Sequence, residues 1–319
     1  MTVNRNKVDI WKSDVMKSVD FYNDWFMNFA PKAFRETRIK TTEQVENALK
    51  CTDNLTNICS EILKQKPEIL PILRMTTCPP IARDRLIGLA GISSNLVKCM
   101  EVEKRIPPRM QVSSLDKDLM KIGQIIEKMI DPDIFIWKVR KDKGSPEEIY
   151  RASTIVADRL CGAVADPIIR NAQEKRQLLS IKNWLEIRGY QELKSDKIKD
   201  FRQMKPGTFS FRLIVSVAIS DAGSVNIPVD AVIMPLNAKS GDFPILMEAK
   251  SAGDFTNTNK RRKEEAIKIQ QLQRTYGKQI SFNLFLCGYF DSSYLGYEAA
   301  EGIDWIWEHR IDDLAQLGL

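Results

Sequence analysis

Glu248, Ala249 and Lys250 close an apolar run that begins at Phe243. Strand alternation sets Glu248 and Lys250 on one face and Ala249 on the other. A carboxylate beside an amine can bind a cation and orient a water. Glu-x-Lys by itself is weak evidence, and Glu192-Leu193-Lys194 is a second copy. That copy follows Gly189 in a polar stretch, whereas Glu248 follows Pro244, Ile245, Leu246 and Met247, so context favours the later site. If residues 237–242 close a hairpin in which Pro235 stands opposite Phe243, Asp230 falls across from Glu248. A slip of one residue would turn Asp230 to the other face, so the convergence depends on that register.

Two carboxylates and a lysine at the interior end of apolar strands are costly to bury without a ligand, and a bound cation resolves the conflict. Asp230, Glu248 and the Ala249 carbonyl offer oxygen ligands of the kind Mg2+ prefers. Lys250 is then left to orient or deprotonate a water, which with the metal meets two needs of phosphodiester hydrolysis. Glu174, on the helix before the strands, can reach the same metal or its water; a surface salt bridge suits it equally. Just after the centre come Asn259, Lys260, Arg261, Arg262 and Lys263. Basic residues at a helix N-terminus oppose the macrodipole by roughly a few tenths of a kcal/mol each, and phosphates of a DNA backbone would remove that conflict. The plainer readings are a surface Glu248–Lys250 ion pair and a solvated basic face neutralised by Glu264 and Glu265.

The elements that must position these groups follow from periodicity. Apolar residues at three- and four-residue spacing from Val15 to about Leu119 make the first half all-helical. Residues 78–100 carry a helix-turn-helix rhythm that a packed helical hairpin explains as well. The Gly/Ser/Pro-containing stretch 138–146 suggests a junction near residue 145. Helices are expected over 147–165 and 167–187, the second with Asp166 as N-cap and Pro167 in its first turn. Strands are expected over 208–219, 225–234 and 243–249, with Asp221, Ala222 and Gly223 at the first turn. A helix from about Asn259 to Tyr276 with an apolar stripe of Ala266, Ile269, Leu272 and Tyr276, the run 280–289, and a mainly helical tail from Ser293 complete the chain. The fold class is α/β: a core of helix, three antiparallel strands, helix and strand over 146–319, preceded by a helical region, 1–145, that clamps DNA, forms a dimer, or both.

Composition narrows the function classes. The 319 residues are 43% hydrophobic and 28% charged, which is a globular composition. No apolar stretch approaches the roughly 20 residues of a membrane helix, and the first residues lack the apolar core of a secretory signal, so a cytoplasmic protein without a membrane partner is expected. Six cysteines without a Cys-x-x-Cys pair read as free thiols. A single histidine, His309, excludes a multi-histidine metal site and is expected to pack or lie at the surface. The net charge of +6 permits polyanion binding.

Pro228-Val229-Asp230, followed after a hairpin by Glu248-Ala249-Lys250, resembles the PD-(D/E)XK nuclease signature, with Val229 interrupting its Pro-Asp. The stretches 166–190 and 252–310, including Thr258-Asn259-Lys260-Arg261 and Asp304-Trp305-Ile306-Trp307-Glu308-His309-Arg310, resemble type II restriction endonucleases of the XamI-like family. The resemblance implies a restriction-endonuclease-like core and Mg2+-dependent cleavage of both strands of DNA at a short palindromic site. It also implies a homodimer and a companion DNA methyltransferase. Two alternatives stand beside it: a nuclease of repair or junction resolution using the same residues, and a non-catalytic DNA-binding regulator.

Overall fold

The computed structural model describes residues 2–220, 223–256 and 258–319, and the side chains at 219, 220 and 259–262 fall outside that description. Helix α1 (Val8–Cys51) is followed by α2 (Ser60–Gln65), α3 (Leu70–Met75), α4 (Arg83–Ala90), α5 (Ser94–Lys98), α6 (Val112–Met129), α7 (Ile136–Arg140) and α8 (Pro146–Ile187). Then come β1 (Gln191–Glu192), β2 (Thr208–Ser220), β3 (Gly223–Met234), β4 (Ile245–Ala252), α9 (Thr258–Tyr276), β5 (Ser281–Gly288), α10 (Ser292–Ala300) and β6 (Asp304–Trp307). The chain is mixed α/β and divides into two units, Ala30–Ile169 and Met1–Phe29 with Arg170–Leu319. The divisions fall within α1 and α8; the stretch 138–146, on which a junction near residue 145 was expected, runs from the end of α7 to the first residue of α8.

The unit Ala30–Ile169 is helical because its apolar residues recur at three- and four-residue spacing, as in Leu115, Leu119, Ile122 and Ile126 of α6. Gly91, at φ 57°, ends α4 in the left-handed region, and Ser93 caps α5 by accepting from the Asn95 amide. Leu86, Ala90, Leu96 and Val97 all enter the core, so packing accounts for the helix-turn-helix rhythm of residues 78–100.

The other unit is built on a six-stranded sheet in the order β1-β2-β3-β4-β5-β6. Strands β2, β3 and β4 are antiparallel in succession; β4, β5 and β6 are parallel, joined by α9 and α10. One face packs Leu246, Leu284 and Trp305 with Ile269 and Leu272 of α9 and Tyr294 of α10. The other packs Phe209, Met247 and Phe285 with Ile181, Trp184 and Leu185 of α8. Burial of both faces explains the apolar run Leu284-Phe285-Leu286-Cys287 in β5.

The elements differ from expectation in places. The tail after Ser293 contains a strand: Trp305, Ile306 and Trp307 are fully buried beside β5, and the helical turns that follow are 3-10. A pattern of four residues was too short to separate strand from helix. Residues 147–187 form one helix, with Pro167 inside it and Asp166 not a cap. Buried positions at multiples of four, Ala157, Cys161, Ala165, Gln173 and Gln177, carry the helical pattern through the proline. The expected turn residues Asp221 and Ala222 lie outside the described residues, and the strands flanking them extend further than expected.

Strand β2 also contains an irregularity that no sequence pattern announced. Arg212 has φ 52°, in the left-handed region that costs an L-residue about 1–2 kcal/mol. Before it, Phe209 and Phe211 pack on the α8 side of the sheet; after it, Leu213, Val215 and Val217 pack on the α9 side. Alternation inverts at this residue.

Candidate active site

Antiparallel pairing of Ala231 with Met247, Val232 with Leu246 and Ile233 with Ile245 is the register counted from the loop length, and one step beyond the last of these pairs along both strands it brings Asp230 to Glu248. The strands are fastened there by the Ala249 amide, which donates to Asp230 Oδ2 at 2.9 Å. Glu248 and Lys250 share a face, with Lys250 Nζ 3.4 Å from Glu248 Oε1. The backbone beneath them is braced by α8: Gln177 Nε2 donates to the carbonyls of Lys250 (3.2 Å) and Phe285 (3.1 Å).

Helix α9 contributes two groups that sequence reasoning missed. Lys268 Nζ lies 2.6 Å from Glu248 Oε2, and Glu265 Oε1 lies 2.9 Å from Lys250 Nζ. Glu265 is 1% exposed and faces the strands, paired with Lys250. The available signal was position: Glu265 and Lys268 border the stripe of Ala266, Ile269 and Leu272, all buried as expected. Glu298 of α10 is fully buried nearby, its carboxyl pushed up to about 8 by burial and by the Glu265 carboxylate.

Asp230 is also incompletely compensated. Burial, and then the charge of Glu248, push its carboxyl up to about 6, against the Ala249 amide. Burial also works against the Lys250 ammonium, but Glu248 and Glu265 outweigh it and hold Lys250 above its usual value. Three carboxyl groups (Asp230, Glu248, Glu265) thus meet two amines (Lys250, Lys268) at this face.

These groups open on a cleft of about 290 Å³ lined by Arg170, Gln173, Glu174, Gln177, Asp230, Glu248 and Lys250. Glu174 reaches its rim, but its Oε1 accepts from Arg212 Nε at 3.0 Å and Nη2 at 2.7 Å. Among the described residues no three His, Cys, Asp or Glu side chains stand close enough together to hold a metal. Asp230, Glu248 and the Ala249 carbonyl therefore supply a sparse, all-oxygen donor set. That suits a hard cation keeping several waters.

Lys263 is exposed at the start of α9, whereas the side chains of Asn259, Lys260, Arg261 and Arg262 lie outside the described residues. The second Glu-x-Lys copy is separate: Glu192 accepts from Lys182 Nζ at 2.6 Å. His309 is half-buried against Trp307, its ring centroid 5.8 Å away, and burial lowers its pKa. All six cysteines are free, and no described helix is long and apolar enough to cross a membrane.

Residues 53–307 match the model of the XamI restriction endonuclease family. The chain is 53% identical over 316 residues, 99% of each chain, to the type II restriction enzyme SalI of Streptomyces albus G. Among solved structures it is similar to protein VC1899 from Vibrio cholerae, at 11% identity and a TM-score of 0.29, covering 90% of this chain and 56% of that one.

Proposed function

The chain belongs to the XamI restriction endonuclease family and is a type II restriction enzyme that cuts DNA at a specific site, and from that premise we propose that Asp230, Glu248 and Lys250 are its cleavage centre. The observation that carries the proposal is the register setting Asp230 against Glu248, with Lys250 on the same face as Glu248. The succession of α8, antiparallel β2 to β4, α9 and β5 supports a restriction-endonuclease-like core of the PD-(D/E)XK type over residues 146–319.

Asp230 and Glu248, with the Ala249 carbonyl, would hold Mg2+. When bound, the ion neutralises phosphate oxygens and acidifies a water. Glu248 and Glu265 favour the Lys250 ammonium against its burial, and Lys250 orients the attacking water or helps to deprotonate it through Nζ. Asp230 is ionised above about pH 6. Lys268 and Gln177 hold Glu248 and the β4 backbone in place. Glu174 belongs to the rim of the centre. Asn259, Lys260, Arg261, Arg262 and Lys263 contact the DNA backbone, which the salt dependence of binding reads directly.

The enzyme acts as a homodimer in the cytoplasm on a short palindromic site protected by a companion methyltransferase, and the helical N-terminal region clamps the duplex or joins the dimer. Digestion of phage DNA with Mg2+ or EDTA tests this reading. Discrete Mg2+-dependent fragments with ends symmetric about a short sequence are expected. A smear, or identical fragments in EDTA, would contradict it.

A further inference from the structure

We propose that Arg212 binds the scissile phosphodiester through the outer edge of its guanidinium while its Nε edge holds Glu174 at the rim of the cleft. The inference rests on the reading of Asp230, Glu248 and Lys250 as the cleavage centre.

Position comes first. Phe211 pairs with Ala231 and Leu213 with Val229, so Arg212 stands level with Asp230, which in turn stands level with Glu248. Arg212, Asp230 and Glu248 therefore form a row across three adjacent strands. The row occupies the point where β2 inverts its faces.

Conformation comes second. Arg212 is held at φ 52°, where glycine would be unstrained, in the interior of a thirteen-residue strand. Strain of this kind persists where the side chain has a task, and no apolar packing supplies one: the side chain is 58% exposed.

Chemistry comes third. Nε and Nη2 both donate to a single oxygen of Glu174. Among the described residues, neither Nη1 nor Glu174 Oε2 is engaged. The arrangement leaves an open N–H edge beside a cluster of carboxylates that must nevertheless admit a phosphate anion. A guanidinium fork matches that anion in two hydrogen bonds, and it can hold Glu174 at the same time; a lysine cannot do both.

The test uses the full chain and its cognate duplex, with the cut position mapped first. Binding is measured without divalent cation on duplexes carrying either the native scissile phosphate or an uncharged methylphosphonate in its place. The parent protein is expected to lose about tenfold in affinity on neutralisation, and Arg212→Gly to lose nothing further. Single-turnover cleavage by Arg212→Gly at saturating protein should fall about 100-fold or more, with a Tm equal to or above the parent's because glycine relieves the strain. Arg212→Lys should remain similarly slow. Cleavage by Arg212→Gly within about threefold of the parent, or an undiminished response to the methylphosphonate, would overturn the assignment. So would a depressed Tm in Arg212→Gly together with full activity in Arg212→Lys, which would make the residue a structural ion pair. Lys250→Ala is assayed alongside: if it cleaves normally the centre itself is misread, whereas an inactive Lys250→Ala beside an active Arg212→Gly removes Arg212 alone.

Discussion

Asp230→Asn is expected to yield a metal-free protein that is more stable than the parent at pH 8 and no longer cuts DNA. In the folded chain the Asp230 carboxyl is pushed up from 3.8 to about 6, by burial first and by Glu248 second. A folded pKa above the unfolded one means that the native state holds a proton between those values that the unfolded chain has released. This group's contribution to stability is therefore fully present below about pH 4 and is lost as pH rises through about 6. Above that window the ionised carboxylate destabilises the fold by about 2–3 kcal/mol, which asparagine removes while still accepting from the Ala249 amide. A gain in Tm of roughly 5 °C at pH 8 in EDTA is expected, disappearing near pH 4. Thermal melts of both proteins across that range check it; no gain at pH 8, or a gain that persists at pH 4, would refute it. Mg2+ should raise the Tm of the parent more than that of the variant, since only the parent keeps both carboxylates.

Asp304→Ala should be among the most damaging single changes. The carboxylate, 7% exposed, accepts from the backbone amides of Val3, Asn4, Arg5 and Trp305. It ties the segment before α1 to β6, and Asn4 adds a bond from Nδ2 to the Trp305 carbonyl at 2.8 Å. An alanine strands these amides away from water, at about 1–3 kcal/mol for each that finds no new partner. A loss of about 3–5 kcal/mol in urea unfolding is expected. A loss under about 1 kcal/mol would show that the N-terminal segment contributes little to the fold. Asp304 opens one of the stretches that carries the family resemblance, and its task here is structural.

Much of the centre was legible in the sequence because strand chemistry constrains it. Alternation places Glu248 and Lys250 together, and an assumed hairpin register, which the sequence alone does not fix, places Asp230 across from Glu248; the strand pairing runs in that register. What was illegible depends on packing between distant elements. Glu265 read as a helix-surface charge and Lys268 stood out in no way, and only the crossover from β4 through α9 to β5 turns them onto Lys250 and Glu248. Pro167 read as a helix start, yet helix continues on both sides of it. β6 is legible only once β5 is present to pair with it. Arg212 carried no signal, since a left-handed arginine is invisible in a sequence whose strand pattern is otherwise regular.

The most direct test of the cleavage centre is a pair of measurements on one preparation of Lys250→Ala: anisotropy with cognate duplex, and single-turnover cleavage in Mg2+ at saturating protein. The Lys250 ammonium sits 3.4 Å from Glu248 and 2.9 Å from Glu265, and in this account it serves the attacking water and not the duplex. Affinity within about threefold of the parent, with cleavage reduced by about 10²–10⁴-fold, is the predicted result. Cleavage by Lys250→Ala at the parent's rate would contradict the assignment of Asp230, Glu248 and Lys250 as the catalytic centre.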